Sequence, residues 1–338
     1  MSIEKLLKNS TIKKTNTLDK SLVFNPAAVV TTNLPILNLA LSGDINGGFL
    51  PGLIQLAGPS KHFKSNLALL MLSAYLNKYK DGVCLFYDSE FGAKESYFKS
   101  FGIDPARIVH SPLLNVEQLK FDMMAQLDGL TEKDKVIVII DSVGNLASKK
   151  EVEDALKQNS ASDMSRAKAF KSLFRMVTPQ LHDKGITLIA IAHVYQSIEM
   201  YSKTIVSGGT GSEYSSDEVI VISRTQDKDD DGLNGFTFNL NINKSRSVIE
   251  KSKFPITATF DKGIQKYSGL LDLALETGHV IKPKNGWYTR PCVPEDKSWR
   301  EKDTMNSSFW NPVLATDFPA NLTEMFKMKE TAMLANDE

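Results

Sequence analysis

Residues Ile54–Ser65 read Ile-Gln-Leu-Ala-Gly-Pro-Ser-Lys-His-Phe-Lys-Ser. An apolar run ends at Gly58, a tight turn follows, and Lys64-Ser65 opens a stretch of helical periodicity. This is the phosphate-binding pattern G-x-x-x-x-G-K-[ST], met at Gly58, Lys64 and Ser65, with Phe63 where the second glycine is expected. Each part has a physical task. The loop from Gly58 through Pro59, Ser60, Lys61, His62 and Phe63 to Asn66 turns its N–H groups onto phosphate oxygens, and the helix N-terminus adds a positive dipole end. Lys64 reaches the β- and γ-phosphates, and the Ser65 hydroxyl is placed for Mg²⁺. Glycine is favoured in such loops for unusual dihedrals or close approach, so Phe63 is expected to have ordinary dihedrals and a ring turned away from the nucleotide. The bland alternative is a strand-turn-helix with a surface lysine, so the rest of the chain has to decide.

The 338 residues suffice for one large α/β domain with appendages, or for two domains. A hydrophobic content of 42% and a charged content of 24% are those of a globular protein. No apolar run reaches the roughly 18 residues of a membrane span. Met-Ser-Ile-Glu-Lys at the start lacks the apolar core of a signal peptide, and two cysteines, Cys84 and Cys292, make no disulfide framework. A reducing, cytoplasmic setting is expected. Forty basic residues balance forty acidic ones, which gives no support to a generally basic nucleic-acid coat. Any such contact has to use local segments such as Lys149–Arg175, with seven Lys/Arg against four acids; a solvated helical face explains the same run.

Residues 1–30 are polar and weakly periodic, and read as a short helix and linker that need a neighbour. Strands are expected at Leu53–Ala57, Val83–Tyr87, Val136–Ile140, Thr187–Ala192, Val219–Ser223, Phe236–Ile242 and Ile256–Phe260. Helices are expected at Asn66–Lys78, Asn115–Leu130 and Asp163–Leu181. The early strands are continuous apolar runs, as in a parallel sheet covered on both faces; Phe236–Ile242 alternates, as in an antiparallel extension. Asp227–Gly232 is acidic like a calcium loop, but Phe238 stands where a bidentate Glu is required, so an acidic hairpin tip is the reading. A further lobe begins near Tyr267.

Three more strand ends carry polar groups. Asp141 follows Val136–Ile140, where a carboxylate can partner Mg²⁺. Glu90 follows Val83–Tyr87 and can orient the water that attacks a γ-phosphate, although either Asp88 or Glu90 could instead cap a helix. His193 ends Thr187–Ala192, a place that suits a γ-phosphate sensor. Ligands of open α/β sheets collect at such carboxyl ends, so these groups and the phosphate loop define one pocket. After His193, Val194–Gly211 is a long loop holding Gly208 and Gly209, and loops of that length are usually functional or mobile.

In order and wording, Ala57–Ser65, Cys84–Phe91, Asp141–Lys150, Asp163–Thr178, Lys244–Phe254 and Tyr267–Tyr288 resemble the RecA family of DNA strand-exchange ATPases, and its bacteriophage branch most. The resemblance covers residues 25–310 and includes the phenylalanine exception. It implies a P-loop ATPase core of α/β class at 31–266, with a mostly parallel sheet and an antiparallel extension. A short N-terminal oligomerisation segment, 1–30, and a small C-terminal α/β lobe, 267–338, complete the implied chain. It also implies Glu90 as the catalytic glutamate, Asp141 as the Walker B aspartate and His193 in place of a sensing glutamine. Tyr97 would contact the adenine, and Lys244 and Arg246 would reach the ATP of the neighbouring subunit. Two DNA-binding loops fall at Lys157–Ser165 and Val194–Gly211. They name Lys157, Arg166, Lys203, Gly208 and Gly209 for phosphates and Tyr195, Met200 and Tyr201 for bases. Lys282, Lys284, Arg290, Lys297 and Arg300 of the lobe would gather duplex DNA.

The expectation is therefore a DNA-dependent ATPase using ATP and Mg²⁺. It would form a head-to-tail filament on single-stranded DNA and pair it with homologous double-stranded DNA. Its further partners would be a mediator, a single-strand-binding protein and a helicase, with no membrane. A ring helicase of the same fold predicts closed hexamers and unwinding. A DNA-coating protein with a degenerate loop is supported only by Phe63.

Overall fold

The structure, a computed structural model, describes residues 2–21, 28–157, 165–196, 204–229 and 232–329. Its centre is a sheet of nine described strands. Five parallel strands come first: β1 Gly52–Ala57, β2 Val83–Asp88, β3 Ile108–Pro112, β4 Val136–Asp141 and β5 Thr187–Ala192. A small antiparallel pair, β6 Val194–Gln196 and β7 Thr204–Val206, stands apart from the sheet. Then β8 Glu218–Asp229 joins β1 in parallel, and β9 Gly232–Lys244, β10 Lys253–Thr259 and β11 Gly263–Ile264 extend the sheet antiparallel. The order is β11-β10-β9-β8-β1-β5-β4-β2-β3, which is the expected α/β core with its antiparallel extension.

Period-two alternation splits each central strand between two cores. Ile54 and Leu56 of β1 face one side, with α2 Pro35–Ser42 and α3 Lys64–Lys78; Leu53 and Ala57 face the other, with α5 Val116–Gly129 and α7 Ser165–Lys184. On α3 the buried Leu67, Ala68, Met71, Leu72, Tyr75 and Leu76 recur at helical spacing, which presses the helix onto the sheet. Short helices α1 Ile3–Asn9, α4 Glu95–Ser100, α6 Lys149–Leu156 and α8 Thr210–Ser215 lie at the periphery. Beyond the sheet, α9 Leu270–Glu276, a small sheet of β12 Ile281–Lys284, β13 Trp287–Thr289 and β14 Trp299–Arg300, and helices α10 Ser307–Leu314 and α11 Phe318–Phe326 form the C-terminal part. Tyr267, Trp310 and Phe318 of this part share a continuous core with α2 and β10.

Several elements differ from expectation. Strand β3 was not foreseen, because it is an edge strand whose outward side chains include His110 and the exposed Val109. Strands β8 and β9 run well beyond Val219–Ser223 and Phe236–Ile242, as half-exposed arms that pair out to Asp229 and Gly232. Helix α7 continues through Pro179 to Lys184. The stretch Val194–Gly211, read as a loop, carries β6, β7 and the start of α8. Among the described residues no helix is long and apolar enough to cross a membrane.

Candidate active site

The phosphate loop leaves β1 at Ala57, beside the carboxyl ends of β2, β4 and β5. Lys64, Ser65, Glu90, Asp141 and His193 line one cleft there, with Ser60–Phe63, Asn66, Asp88 and Tyr97. Sequence separations of up to 103 residues thus close to hydrogen-bonding distance, because parallel strands bring their ends to one edge of the sheet.

Phe63 overturns half of its expectation. Its φ is 64°, left-handed, as is that of Lys61 at 61°. The loop therefore keeps a backbone that favours glycine while carrying a bulky side chain. The ring, at the cleft wall, stacks on Phe238 of β9, centroids 4.5 Å apart and planes 15° apart. That contact offsets the cost of roughly 1–2 kcal/mol for a left-handed L-residue. Arg224 of β8, which sequence reasoning passed over, also braces the loop by donating from Nη1 to the Lys61 carbonyl at 3.2 Å, its guanidinium over the Phe236 ring.

Lys64 is buried, and its ammonium donates to the Pro59 carbonyl at 2.7 Å. Burial lowers its pKa, against the pull of Glu90 and Asp141. The Ser65 hydroxyl donates to Asp141 Oδ2 at 2.7 Å. Asp141 Oδ1 is buried and has no hydrogen-bond partner. Burial pushes the Asp141 carboxyl up to about 6, and the nearby Glu90 and Asp88 charges add to the effect while the Ser65 hydrogen bond opposes it. A hydroxyl paired with an under-satisfied carboxylate among like charges is a donor set that suits a hard divalent cation such as Mg²⁺.

The choice between Asp88 and Glu90 resolves. Asp88 Oδ1 accepts from the N–H groups of Glu90 and Phe91, and Oδ2 meets His110 Nε2 at 3.2 Å, so Asp88 is the turn cap. Glu90 is left to face the cleft. Its Oε1 accepts from the Ser142 hydroxyl at 2.7 Å and lies 3.0 Å from His193 Nε2. Two residues missed in the sequence make this possible. Ser142, itself locked to Ser89, fixes the carboxylate. Gly144 gives the imidazole room, since a Cβ there would lie 2.5 Å from His193 Cδ2. His193 is also the root of the β6–β7 hairpin, its carbonyl accepting from the Ser207 N–H at 2.7 Å. Tyr97 stands at the cleft wall, donating to Asn66 Oδ1 at 2.7 Å, its phenol pushed up to about 12 by burial and the charge of Asp141.

Lys244 and Arg246 lie elsewhere. Lys244 at the end of β9 pairs with Val219, and Arg246 meets Asp217, which accepts from the Leu53 N–H. Arg246 is thus level with the start of β1, about 16 Å of strand rise from the phosphate loop of its own chain.

The DNA-contact expectations divide. Lys157, Lys168, Lys171 and Arg175 are exposed on and beside α6 and α7, Tyr195 is 54% exposed on β6, and Gly208 and Gly209 hold the positive φ that ends the hairpin. Met200, Tyr201 and Lys203 lie outside the described residues, as does most of Lys157–Ser165. Arg166 departs from its expectation as a phosphate partner. Its guanidinium donates to the carbonyls of Leu146, Val143 and Gly144, tying α7 to the loop after β4. Arg290 departs likewise: 5% exposed, it is bound by Asp296 and the carbonyls of Ser308 and Phe309. Lys282, Lys284, Lys297 and Arg300 stay at the surface, each against an aromatic ring.

The family model of the RecA N-terminal domain matches residues 2–265, and that of the C-terminal domain of the bacteriophage T4 recombination and repair protein matches 267–321. The recombination and repair protein of Enterobacteria phage T4 is 54% identical over 317 residues, 91% of this chain and 81% of the relative. Protein RecA of Corynebacterium efficiens is 27% identical over 277 residues, 78% of this chain and 67% of its own. Protein RecA of Mycobacteroides abscessus is 25% identical over 324 residues, 94% and 88% of the two chains. The chain therefore belongs to the RecA family.

Proposed function

We propose that this protein is a recombinase of recombination and repair that works as a DNA-dependent ATPase. The observation that carries the reading is that the His193 imidazole touches Glu90 and its carbonyl roots the β6–β7 hairpin, so one residue joins an ATP-hydrolysing carboxylate to a DNA-facing segment. ATP is the substrate. Residues Gly58–Asn66 wrap its phosphates, Lys64 leaves the Pro59 carbonyl for the β- and γ-oxygens, and Tyr97 flanks the adenine. Ser65 and Asp141 would hold Mg²⁺, which neutralises phosphate charge when bound. Glu90, held by Ser142, orients and deprotonates the attacking water, and His193 donates to the γ-phosphate.

Arg246 is too far from its own loop to serve it, and the Lys244 ammonium is held by the Glu213 and Tyr214 carbonyls, which supports their acting on the neighbouring subunit. Such a head-to-tail contact that does not close produces an open helix. Helix α1 buries no residue, and Ile3 and Leu6 are more than half exposed. The unpaired outer edge of β3, with exposed Val109, Leu114 and Phe121 nearby, is a surface against which another copy's segment 1–30 can pack. The core 31–266 then binds nucleotide and DNA, and the lobe 267–338 presents Lys282, Lys284, Lys297 and Arg300 to duplex DNA. Single-stranded DNA would run past Lys157, Tyr195, Gly208 and Gly209, with Met200, Tyr201 and Lys203 on the same segment. A cytoplasmic setting, and a mediator, a single-strand-binding protein and a helicase as partners, complete the proposal.

Glu90→Gln tests the chemistry. It should lower the ATPase kcat about 10²–10⁴-fold while nucleotide binding persists, as for loss of a general base. Unchanged hydrolysis would remove Glu90 from the role.

A further inference from the structure

Arg246 is 67% exposed, and an exposed arginine paired with a surface carboxylate is held only weakly. Its partner here is not a surface carboxylate. Asp217 has a side chain only 12% exposed, and Oδ1 lies 2.9 Å from Arg246 Nε. Oδ2 accepts from the Leu53 N–H at 2.8 Å and lies 3.2 Å from His182 Nε2 on α7. The space for this arrangement is made by Gly52, where a Cβ would stand 2.3 Å from Asp217 Oδ2 and 3.1 Å from His182 Cε1, and where φ is 138°. The carboxylate thus accepts a hydrogen bond from β1 and lies within ion-pair distance of His182 on α7 and of the guanidinium.

We infer that Asp217 is a positioning residue that presents Arg246 to the ATP of the neighbouring subunit, with His182 and the Leu53 N–H setting the carboxylate's orientation. This rests on the proposal that Arg246 acts across the subunit interface. The charges around the pair agree with it. Burial drives Glu218, the next residue, well above the usual carboxylate range, and the charge of Asp217 adds to the effect. Burial alone would raise Asp217 too, but His182, the Leu53 N–H and Arg246 outweigh it and hold its pKa below the ordinary value. Lys244 is moored to the same segment, its ammonium donating to the Glu213 and Tyr214 carbonyls at 3.0 Å each. Both cations therefore hang from residues 213–217, which follow Gly208-Gly209 and the β6–β7 hairpin directly.

The test is hydrolysis by mixed filaments. Asp217→Asn keeps the side-chain shape and removes the charge. DNA-stimulated kcat should fall about tenfold with KM for ATP little changed, the pattern for an interaction made in the transition state. Asp217→Glu should restore part of it. Mixing Asp217→Asn subunits with Glu90→Gln subunits supplies an intact Arg246 beside an intact phosphate loop, so the mixture should exceed the sum of the separate rates several-fold. Arg246→Ala mixed with Glu90→Gln is the control. Recovery in the control but not with Asp217→Asn would overturn the positioning role and leave the interface reading standing. Recovery in neither would remove the interface reading and the inference together. Should Asp217→Asn melt, His182→Gln reads the same way: a loss recovered by mixing supports the role, and an unchanged rate overturns it.

Discussion

Phe63 shows how far a single residue can depart from a motif without losing its geometry. The loop retains a left-handed backbone at Phe63, and the ring is stacked on Phe238. Two substitutions separate these contributions. Phe63→Ala loses the stack and keeps the strained φ; Phe63→Gly loses the stack and relieves the strain. The glycine variant should be the more stable by about 1 kcal/mol in chemical denaturation, both lying below the parent. An alanine variant equal to the glycine variant would mean that φ 64° carries no cost. Lys64, Ser65, Glu90, Asp141 and His193 were legible because each stands at the end of an apolar run, where parallel strands deliver their side chains to one edge. Ser142 and Gly144 were not, since their roles lie in contacts between strands far apart in sequence. Arg166 and Arg290 were misread because charge is visible in a sequence and carbonyl partners are not.

At the scale of elements, continuous apolar strands announced themselves and marginal ones did not. Strand β3 mixes polar and apolar residues because its outer edge is unpaired among the described strands. The C-terminal lobe was visible in outline, as a lobe beginning near Tyr267 and in the resemblance of Tyr267–Tyr288. Its organising contact is the Arg290–Asp296 pair, each side chain 5% exposed, with Trp299 Nε1 donating to the same carboxylate. Breaking such a pair strands a buried charge, so Asp296→Ala should destabilise the lobe by about 3–5 kcal/mol. All three tryptophans, Trp287, Trp299 and Trp310, lie in this lobe, so their fluorescence reports on it. Asp296 is itself buried, which raises its pKa, but its hydrogen bonds to Arg290 and Trp299 more than compensate and hold it below the ordinary value. A depressed carboxylate stabilises above its unfolded pKa and loses that stabilisation as pH falls through the folded one. The tryptophan signal should therefore lose an acid-sensitive component, present from the unfolded pKa of Asp downward, in Asp296→Asn. An identical acid profile would place the stabilisation elsewhere.

For the whole molecule, the proposal gives surface features that add little to the folded chain a purpose between chains. Helix α1 buries no residue, and Lys14 makes exposed ion pairs with Glu132 and Asp183 and an exposed hydrogen bond to the Asp183 carbonyl. Deleting residues 1–21 should therefore shift the melting temperature by less than about 2 °C. Sedimentation of the variant with single-stranded DNA should show no filaments; filaments of normal length would contradict the assignment of this segment to self-assembly. The overall α/β plan followed from periodicity and strand-end chemistry, whereas assembly rests on surfaces whose partners no single chain displays.

The central claim is that ATP hydrolysis and DNA contact belong to one coupled site, joined through Glu90, His193 and the β6–β7 hairpin. It is tested most directly by measuring ATP hydrolysis with and without single-stranded DNA across a salt series. Strong stimulation by DNA that declines with salt is predicted, because the phosphate contacts that trigger it release counterions. Hydrolysis of equal rate with and without DNA, or none in either case, would contradict the coupling and leave a protein whose DNA binding owes nothing to ATP.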